Sequence, residues 1–459
     1  MHAPLTPPAV ADQALQALAM EAVTYAYPLY EMSRMRANTS PRQCALGPAG
    51  DAPDSPQRWN NVLIHARALL GAGRSRVVTP NHDTLYTNAW LDLSDGPLVI
   101  DVPDTAGRYY VLGLLDFYTN PFAGIGQRTT GTQARSVVIT PPGWKGALPA
   151  ALHARIEAPT PWVWIIGRIL VEGPDDVAAV NALQDGFCLR TLADWSAGND
   201  ATRTGKRFDP DFDTHARSEA APEALRFAAV VNRALLHNPP PAHEQAMVER
   251  FRALGLGADA AAADAAALTA PQQAALNAAL AQCLALWREA AIGATGPTGW
   301  QTMPLLEQSF GDNYLGRALV ALKYIGALES REASYPMAHA DSQGRLLDGR
   351  NAYRLRFAPG QLPPVQAFWS LTMYDASDYM LVPNAIDRYV IGDRTPDLQR
   401  DADGGLTLHI QHSPPLDPAA RANWLPAPAG GFYLCLRAYL PDAALLDGNY
   451  TLPPLELTA

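Results

Sequence analysis

The spacing of apolar residues changes along this chain of 459 residues, and the changes limit the folds that it can adopt. Apolar residues recur at helical spacing over 11–38, and then alternate in short runs over 77–171. A mostly helical pattern covers 174–327, and alternation returns over 352–440. The pattern therefore predicts two β units separated by a helical segment.

Both alternating regions are rich in Val, Ile, Tyr and Trp and are cut by proline and glycine pairs. Turn signals at roughly 8–12-residue intervals are typical of antiparallel sandwiches and barrels. The 40 prolines and 34 glycines suit strands and loops better than an all-helical array. We predict an α+β fold, mainly β, with two antiparallel, jelly-roll-like β-sandwich domains.

The predicted segment boundaries follow these changes of pattern. They are N-terminal helices at 1–76, a sandwich at 77–173, a helical segment at 174–330 and a sandwich at 331–459. The first segment is predicted to hold a helix pair, with a long helix that Pro28 kinks or ends and a short helix over 56–72.

The central segment is predicted to hold several helices and one insertion. The helices are placed at 174–195, 222–237, 241–254, 271–292 and 304–327. The stretch 258–270 is almost all Ala and Asp, which indicates a low-complexity insertion without chemistry. Apolar stripes on the helices of 222–292 predict packing on the sandwiches or on a second subunit, so a homo-oligomer is an expectation. These stripes include Leu225, Val231, Leu235 and Leu236.

Composition and charge exclude several classes of protein. Apolar residues make up 48%, which excludes a disordered chain, and the net charge of −10 argues against nucleic-acid binding. No run approaches the roughly 18 apolar residues of a membrane span. The four cysteines form no CxxC pair, so neither a disulfide framework nor a thiolate zinc site is expected. Residues 1–15 lack the features of a secretory signal, and a cytoplasmic location is the expectation.

Signatures such as GxSxG, HExxH and the P-loop are absent from the sequence. The densest polar stretch is TPNHDTLYTNAW, residues 79–90. Asn81 and Asp83 suit a tight bend and could hydrogen-bond their own backbone in an Asx turn. Alternatively, Asp83 is an acid, a base or a ligand anchor with Tyr86 beside it.

A second polar cluster lies in RYYVLGLLDFYTNPF, residues 108–122. Strand alternation places Asp116 and Tyr118 on one face. The tyrosines could be core aromatics, but a carboxylate at the end of an apolar strand needs a partner, for which Arg108, Arg128 and Arg168 are candidates.

The C-terminal half has a matching cluster in FWSLTMYD, residues 368–375. Trp369 lies on one face of this predicted strand, whereas Tyr374 lies on the other with hydroxyl and aromatic neighbours. Further along, Arg388 and Arg437 are single arginines in apolar company. Each is either paired with a loop carboxylate or acts as a clamp for an anionic group.

These motifs resemble a bacterial two-domain family that joins a domain of unknown function, DUF1254, to a second one, DUF1214. The N-terminal likeness rests on VTPNHDTLYTNAWLDLSDGPLVIDVPD and RYYVLGLLDFYTNPFAGIGQRTTG. The C-terminal likeness rests on LPPVQAFWSLTMYD, LVPNAIDRYVIGD and NWLPAPAGGFYLCLRAYLP. The resemblance implies jelly-roll-like sandwiches with attached helices, and it implies no catalytic residues because the family has no settled activity.

We weigh three classes of function. The first is a hydrolase or lyase for a small-molecule substrate, without an organic cofactor, using Asp and Tyr as acid–base groups and an arginine clamp. The second is a binding or carrier protein for a glycan, lipid or anionic metabolite, and the third is a structural protein. A divalent metal held by Asp83, Asp116 and His82 is a variant of the first class.

We predict that Asp83 and Asp116 face one cavity, which Tyr374 and Arg388 close from the C-terminal domain. The candidate catalytic residues are Asp83, Asp116, Tyr86 and Tyr374. The candidate substrate-binding residues are Asn81, Tyr118, Arg168, Trp369, Asn384 and Arg388.

Overall fold

A computed structural model shows how the predicted elements assemble. It describes residues 10–40, 58–73, 79–199, 206–208, 221–258, 268–290, 293–302 and 304–458. The helices in this part are α1 Val10–Thr39, α2 Val177–Asp185, α3 Leu192–Ala197, α4 Ala224–His237, α5 Gln245–Arg250, α6 Ala270–Glu289, α7 Tyr314–Lys323, α8 Pro418–Ala422 and α9 Ala443–Leu446. No helix in these ranges is both long enough and apolar enough to cross a bilayer.

The strands fall into two groups along the chain. The first group is β1 Arg58–Asn60, β2 Ile64–His65, β3 Thr84–Asp92, β4 Leu98–Val102, β5 Tyr110–Asp116, β6 Ala123–Gly126, β7 Arg135–Thr140, β8 Ala154–Glu157, β9 Trp162–Leu170, β10 Cys188–Thr191 and β11 Lys206–Phe208. The second group is β12 Ala294–Thr295, β13 Trp300–Thr302, β14 Ala333–Ser334, β15 Met337–Ala338, β16 Ala352–Phe357, β17 Val365–Asp375, β18 Val390–Gly392, β19 Leu406–Gln411, β20 Trp424–Pro426, β21 Phe432–Pro441 and β22 Leu455–Thr458.

The first sandwich packs a five-stranded sheet, in the order β2-β3-β9-β5-β6, on a four-stranded sheet, in the order β10-β4-β7-β8. All pairs are antiparallel except β7 with β8. Alternate residues, such as Leu112 and Ile165 from one sheet and Ile100 from the other, fill the core between them. The predicted alternation therefore marks the buried face of each strand.

The second sandwich pairs a seven-stranded sheet with a four-stranded sheet. The larger sheet is built on the long pair β17–β21, and the smaller one has the order β20-β19-β16-β22. Trp369 and Leu436 from the larger sheet and Leu355 and Leu408 from the smaller one meet in the core. The prediction of two largely antiparallel sandwiches is confirmed, with β19–β20 as a parallel pair.

A layer of helices covers part of the outer face of the five-stranded sheet. Helices α1, α4, α6 and α7 form its core, and Trp90 and Trp164 of the sheet pack against them with parallel rings 5.2 Å apart. Helix α6 begins at a capping box between Thr269 and Gln272. This layer is the central helical segment that the sequence predicts, joined by the N-terminal helix.

Several local predictions are corrected. No helix covers 56–72, where the described residues form β1 and β2. Ile64 pairs with Asn88 of β3, so sheet pairing outweighs the local helical pattern. Pro28 lies inside an uninterrupted α1, because packing on three other helices outweighs one lost hydrogen bond.

Two helix predictions are too long and one insertion cannot be placed. The predicted helix at 174–195 ends at Gly186, after which β10 pairs with β4. The predicted helix at 304–327 is reduced to α7, which starts at an Asn313 cap. Most of the Ala- and Asp-rich stretch, residues 259–267, lies outside the described residues.

The two sandwiches meet through outer sheet faces. Tyr109 and Val111 from the five-stranded sheet pack against Phe368 and Tyr439 from the seven-stranded sheet, with Leu328 of the connecting segment beside them. The face of β17 that carries Phe368, Ser370, Thr372 and Tyr374 thus faces the first sandwich, which explains its mixture of hydroxyls and aromatics.

Candidate functional site

A turn over residues 79–83 extends from the first sandwich onto the second. The Thr79 N–H donates to the Tyr379 carbonyl at 2.8 Å, and the Tyr374 hydroxyl donates to the Pro80 carbonyl at 2.6 Å. Within the turn, the Asp83 N–H donates to Asn81 Oδ1 at 2.6 Å, and this is the predicted Asx turn. Asn81 Nδ2 also donates to the Tyr439 hydroxyl at 2.6 Å, so Asn81 joins both domains.

Asp83 is an interdomain anchor. Its side chain is 2% exposed, its Oδ1 accepts a charged hydrogen bond from Arg394 at 2.8 Å, and its Oδ2 accepts from the Ser370 hydroxyl at 2.6 Å. The Arg394 guanidinium also lies 4.2 Å from the centre of the Phe368 ring. Beside this pair, burial raises the pKa of Asp393 to about 6. Both carboxylate oxygens of Asp83 therefore already have partners, one of them a full positive charge.

Arg437 on β21 is buried on the same face. Its guanidinium donates to Thr372 Oγ1 at 2.8 Å and to the Thr79 carbonyl at 3.0 Å. The ring of Tyr374 lies 5.6 Å away. All these partners are neutral, and within the described residues Arg437 makes no ion pair with a carboxylate. Asp83 is within electrostatic range of Arg437, but no carboxylate bonds to its guanidinium directly, so the charge of Arg437 is only partly compensated.

Arg168 presents a second such charge from the first sandwich. In the register of the sheet it lies opposite Tyr86, whose ring is 5.5 Å from the guanidinium. Its hydrogen bonds go to the carbonyls of Gly326 at 3.2 Å and Ile166 at 3.4 Å. Burial opposes its charge, but nearby tyrosines, Tyr335 foremost, outweigh this and raise the pKa of Arg168 above its ordinary value. It too has no carboxylate partner in the described part of the chain.

Tyr335 connects the two arginines. Ala333 pairs with Tyr439 and Met337 with Cys435, so Tyr335 lies level with Arg437 on the neighbouring strand. Burial raises the pKa of Tyr335, and the charges of Arg168 and Arg437 oppose this rise, so its hydroxyl is within electrostatic range of both.

The hydroxyls of Tyr86 and Tyr335 make no hydrogen bond to any described residue, and both side chains are partly exposed. We call Arg168, Arg437, Tyr86, Tyr335 and Tyr439 the interdomain cluster. It offers two cations and two free hydroxyl donors.

The nearby carboxylates bond directly to groups outside this cluster, although the charge of Asp83 reaches Arg437. Asp83 is held by Arg394, and Glu332 is shared between Arg128 Nε at 2.8 Å and the Tyr109 hydroxyl at 2.8 Å. The arrangement suits a negatively charged ligand whose oxygens would take the place of a protein carboxylate.

The prediction that Asp116 shares a cavity with Asp83 is wrong. Asp116 pairs with Val163 at one end of β9, whereas the Asp83 carbonyl accepts a hydrogen bond from the Val171 N–H just beyond the other end. Val171 lies eight residues after Val163, which is roughly 26 Å along the strand. Asp116 Oδ1 accepts from the Tyr118 and Asn120 N–H groups, each at 2.9 Å, so it caps a turn. Burial raises its pKa to about 6.

Asp116 and Tyr118 belong instead to a polar cluster beneath the helices. Here the Tyr25 hydroxyl donates to Glu244 Oε2 at 2.6 Å, and Arg317 lies 3.9 Å from Glu244 Oε1. The Arg317 guanidinium also lies 5.2 Å from the Tyr118 ring. We call these five residues the helical-layer cluster.

The remaining predicted binding residues lie elsewhere. Trp369 is in the core of the second sandwich, on the face of β17 that points away from the interface. Asn384 closes its own loop through Arg388, accepting from its N–H at 3.0 Å. The Arg388 guanidinium donates to the carbonyls of Ala422 and Trp424, both at 2.9 Å. The structure therefore does not bring these three side chains to the interdomain cluster.

The residues proposed as metal ligands are also separated. His82 lies against Tyr389 and its Nδ1 is 2.5 Å from the Leu70 carbonyl, while Asp116 is at the far end of the sheet. Among the described residues, no group of three His, Cys, Asp or Glu side chains is placed to hold one ion. The metal variant therefore has no donor set in the described part of the chain.

Sequence reasoning missed Arg394, Tyr335 and Tyr439. Tyr439 shares strand parity with Arg437 in FYLCLRAYLP, and this signal was available. Arg394 and Tyr335 lie in short irregular segments, where parity gives no direction. Only their long-range pairing with Asp83 and β21 places them at the interface.

The fold and site define a protein of two β-sandwich domains that share one buried polar interface. Family models match on both sides of it: DUF1254, a protein of unknown function, over residues 60–191, and DUF1214, also a protein of unknown function, over 332–443. The chain belongs to the family that combines these two domains. Each domain contributes one arginine of the interdomain cluster.

Two solved structures align with almost the whole chain. The VPA0106 protein from Vibrio parahaemolyticus is 23% identical, with a TM-score of 0.69, over 97% of this chain and 100% of that one, and it shares the fold. A putative uncharacterized protein from Burkholderia cenocepacia is 13% identical, with a TM-score of 0.41, over 97% of this chain and 94% of that one. No curated protein matches the sequence.

Proposed function

We propose that this protein binds a small organic anion between its two sandwiches. Arg168 and Arg437 clamp the anionic group, and the hydroxyls of Tyr86 and Tyr335 donate hydrogen bonds to it. The observation that carries the proposal is the presence of two buried guanidinium groups with neutral partners only, next to two hydroxyls that have no partner in the described chain.

The free-energy cost of burying an unpaired charge favours a bound ligand at the interdomain cluster. Burying an unpaired charge costs several kcal/mol, on the order of 3–5 kcal/mol when a buried pair loses one partner. Proteins retain such an arrangement where a ligand supplies the missing charge. A carboxylate, sulfate or phosphate would accept hydrogen bonds from both arginines, which are donors only, and from the hydroxyls of both tyrosines, which can donate.

A hydrolase or lyase is the second candidate function. Tyr86 favours it, because a hydroxyl without a partner beside Arg168 is suited to protonate a leaving group. Asp83 is poorly suited as the base, since both of its oxygens accept hydrogen bonds. Tyr374 is poorly suited as the acid, since its hydroxyl already donates to the Pro80 carbonyl. In this candidate, Tyr86 is the acid and the arginines hold the substrate anion.

The test compares three arginine variants. Sulfate, phosphate, acetate and succinate are titrated into the wild type while the melting temperature is recorded, followed by calorimetry for any anion that stabilises. A ligand at 100 times its Kd stabilises by about 2.7 kcal/mol. We expect this gain to disappear in Arg168→Met and Arg437→Met.

Arg388→Met is the matched control, because Arg388 also donates to backbone carbonyls but lies outside the cluster. It should keep the full gain. Equal gains in all three variants, or no gain with any anion in the wild type, would refute the proposal. If the wild type hydrolyses an ester of an anion that it binds, and Tyr86→Phe abolishes this hydrolysis, the hydrolase or lyase is favoured.

The expectations of a cytoplasmic location and a homo-oligomer remain proposals. Val231 and Leu235 of α4 are buried in the helical layer, but Leu225 and Leu236 on the same helix are 39% and 36% exposed. These two side chains support a second subunit on this face. Light scattering at micromolar concentration that reports a monomer would remove the homo-oligomer.

A further inference from the structure

A cavity of about 240 Å³, with a lining that is uncharged and more apolar than polar, adjoins the interdomain cluster. This volume is far above the roughly 10–15 Å³ that one water molecule requires. None of the described residues that line it carries a charge. Its lining includes Trp300, Leu306, Leu328, Ala333, Tyr335 and Leu452.

Three of the polar side chains around the cavity already have hydrogen-bond partners, whereas the Tyr335 hydroxyl has none in the described chain. Trp300 Nε1 donates to the Pro453 carbonyl at 2.8 Å, and the Ser330 hydroxyl accepts from the Leu306 N–H at 2.8 Å. The Tyr450 hydroxyl donates to the Gln361 carbonyl at 2.8 Å. The cavity therefore suits a hydrocarbon group better than a polar ligand.

The cavity and the interdomain cluster share one wall. Tyr335 lines the cavity and is also the residue within electrostatic range of both arginines. Leu328 and Ala333 line the cavity and pack with Tyr439 at the interface. Ala327 lines the cavity next to Gly326, whose carbonyl accepts from Arg168.

This wall is fixed by close packing. A side chain at position 113 would meet Leu328 Cδ2 at 2.3 Å, so Gly113 on β5 allows the Leu328 side chain to lie against the sheet. The cavity and the cationic cluster are thus held side by side, with Tyr335 between them.

We propose that the anion is amphiphilic, with its charged head at Arg168 and Arg437 and its hydrocarbon chain in this cavity beyond Tyr335. The proposal rests on the proposed function and names its ligand class: an organic acid or alkyl sulfate with a single aliphatic chain. Charge complementarity sets the head at the arginines, and the uncharged lining sets the chain in the cavity.

The experiment measures Kd by calorimetry for acetate, butanoate, hexanoate and octanoate, with butylamine and octylamine as cationic controls. Full burial of each methylene is worth about a threefold to fourfold gain in affinity. We expect affinity to rise with chain length at about this rate until the cavity is filled, and no binding of the amines.

Two substitutions test where the hydrocarbon chain of the ligand binds. Thr298→Trp places a large ring in the cavity lining, and Thr295→Trp makes the same change at an exposed position outside it. We expect Thr298→Trp to weaken octanoate by at least tenfold and to leave acetate unchanged, while Thr295→Trp changes neither.

The outcomes separate the two proposals. If every chain length binds equally and depends on Arg437, the amphiphile is wrong and the anion site stands. If no acid binds, the proposed function itself fails. If octanoate still binds with unchanged affinity to Arg168→Met and Arg437→Met, the chain binds without the arginines and the placement of the head is overturned.

Discussion

Two regions of this molecule bury arginine among tyrosines, and they differ in one respect. In the helical-layer cluster, Arg317 lies near three tyrosine rings and Glu244 is 3.9 Å away. In the interdomain cluster, Arg168 and Arg437 lie near tyrosine rings and meet only neutral hydrogen-bond partners among the described residues. The first cluster contains its own counter-charge and the second does not.

The difference separates a structural role from a binding role. A buried arginine with an internal carboxylate is complete, and removing either partner leaves an unpaired charge. An arginine without one gains its counter-charge from outside, and removing it costs the fold little. The predictions that follow test this contrast in order of expected size.

The largest effect is expected from Glu244→Gln. It removes the carboxylate that lies 3.9 Å from Arg317, and breaking a buried pair costs about 3–5 kcal/mol. Arg168→Met, which removes a charge without a carboxylate partner, should lower the free energy of unfolding by less than about 1 kcal/mol. Urea denaturation measures both, with Glu249→Gln at an exposed ion pair as the control. Equal losses of unfolding free energy in Glu244→Gln and Arg168→Met would refute the proposed difference between the two clusters.

Next in size is the pH dependence at Asp116. Its pKa is raised by burial to about 6, so its contribution to stability is present below about pH 4 and is lost as pH rises through 6. The advantage of the wild type over Asp116→Asn should therefore shrink by about 2 kcal/mol between pH 4 and pH 7. The hydrogen bonds that Asp116→Asn loses are lost at both pH values, so they cancel when the two advantages are subtracted. Denaturation at both pH values decides, and a constant advantage would show that Asp116 is not ionised against a burial cost.

A smaller loss is expected from Asp83→Asn, because its partner Arg394 is 18% exposed and water can replace part of the interaction. We expect a cost of about 1–2 kcal/mol. A double-mutant cycle with Arg394→Met should give a coupling of about 1 kcal/mol. Anion affinity lost at unchanged stability would contradict the anchoring role and restore Asp83 to the binding site.

The smallest change in stability is expected from Tyr86→Phe. The hydroxyl has no partner in the described chain, so the free energy of unfolding should stay within about 0.5 kcal/mol of the wild type. Anion affinity should fall about threefold to tenfold, the worth of one hydrogen bond. Calorimetry beside a melting curve measures both, and Tyr25→Phe, which removes a donor to Glu244, should show the opposite pattern.

Alternation along strands was enough to predict which side chains share a face. It placed Tyr374 with the hydroxyls of β17 and Arg437 in apolar company, and both now lie at the interface. Alternation does not predict how far apart two residues lie along a strand, or which sheet faces pack against each other. Asp116 was therefore grouped with Asp83, although the sheet places them at opposite ends.

The errors in the fold have the same origin. The apolar pattern predicts a helix over 56–72, but β1 and β2 pair there with segments distant in sequence, β11 and β3. Arg394 meets Asp83 from 311 residues away. Local propensity carries no information on such contacts, so they could be found only from the assembled structure.

The position of α1 in the helical layer has a consequence for synthesis on the ribosome. Ala22, Val23, Leu29 and Met32 of this helix are fully buried, yet the helices that cover them, α4, α6 and α7, begin at residue 224 and end at residue 323. At roughly 5–20 residues per second, α1 waits tens of seconds for its partners. A nascent chain stalled before α4 should therefore recruit chaperones through α1, whereas a chain stalled after α7 has emerged should not.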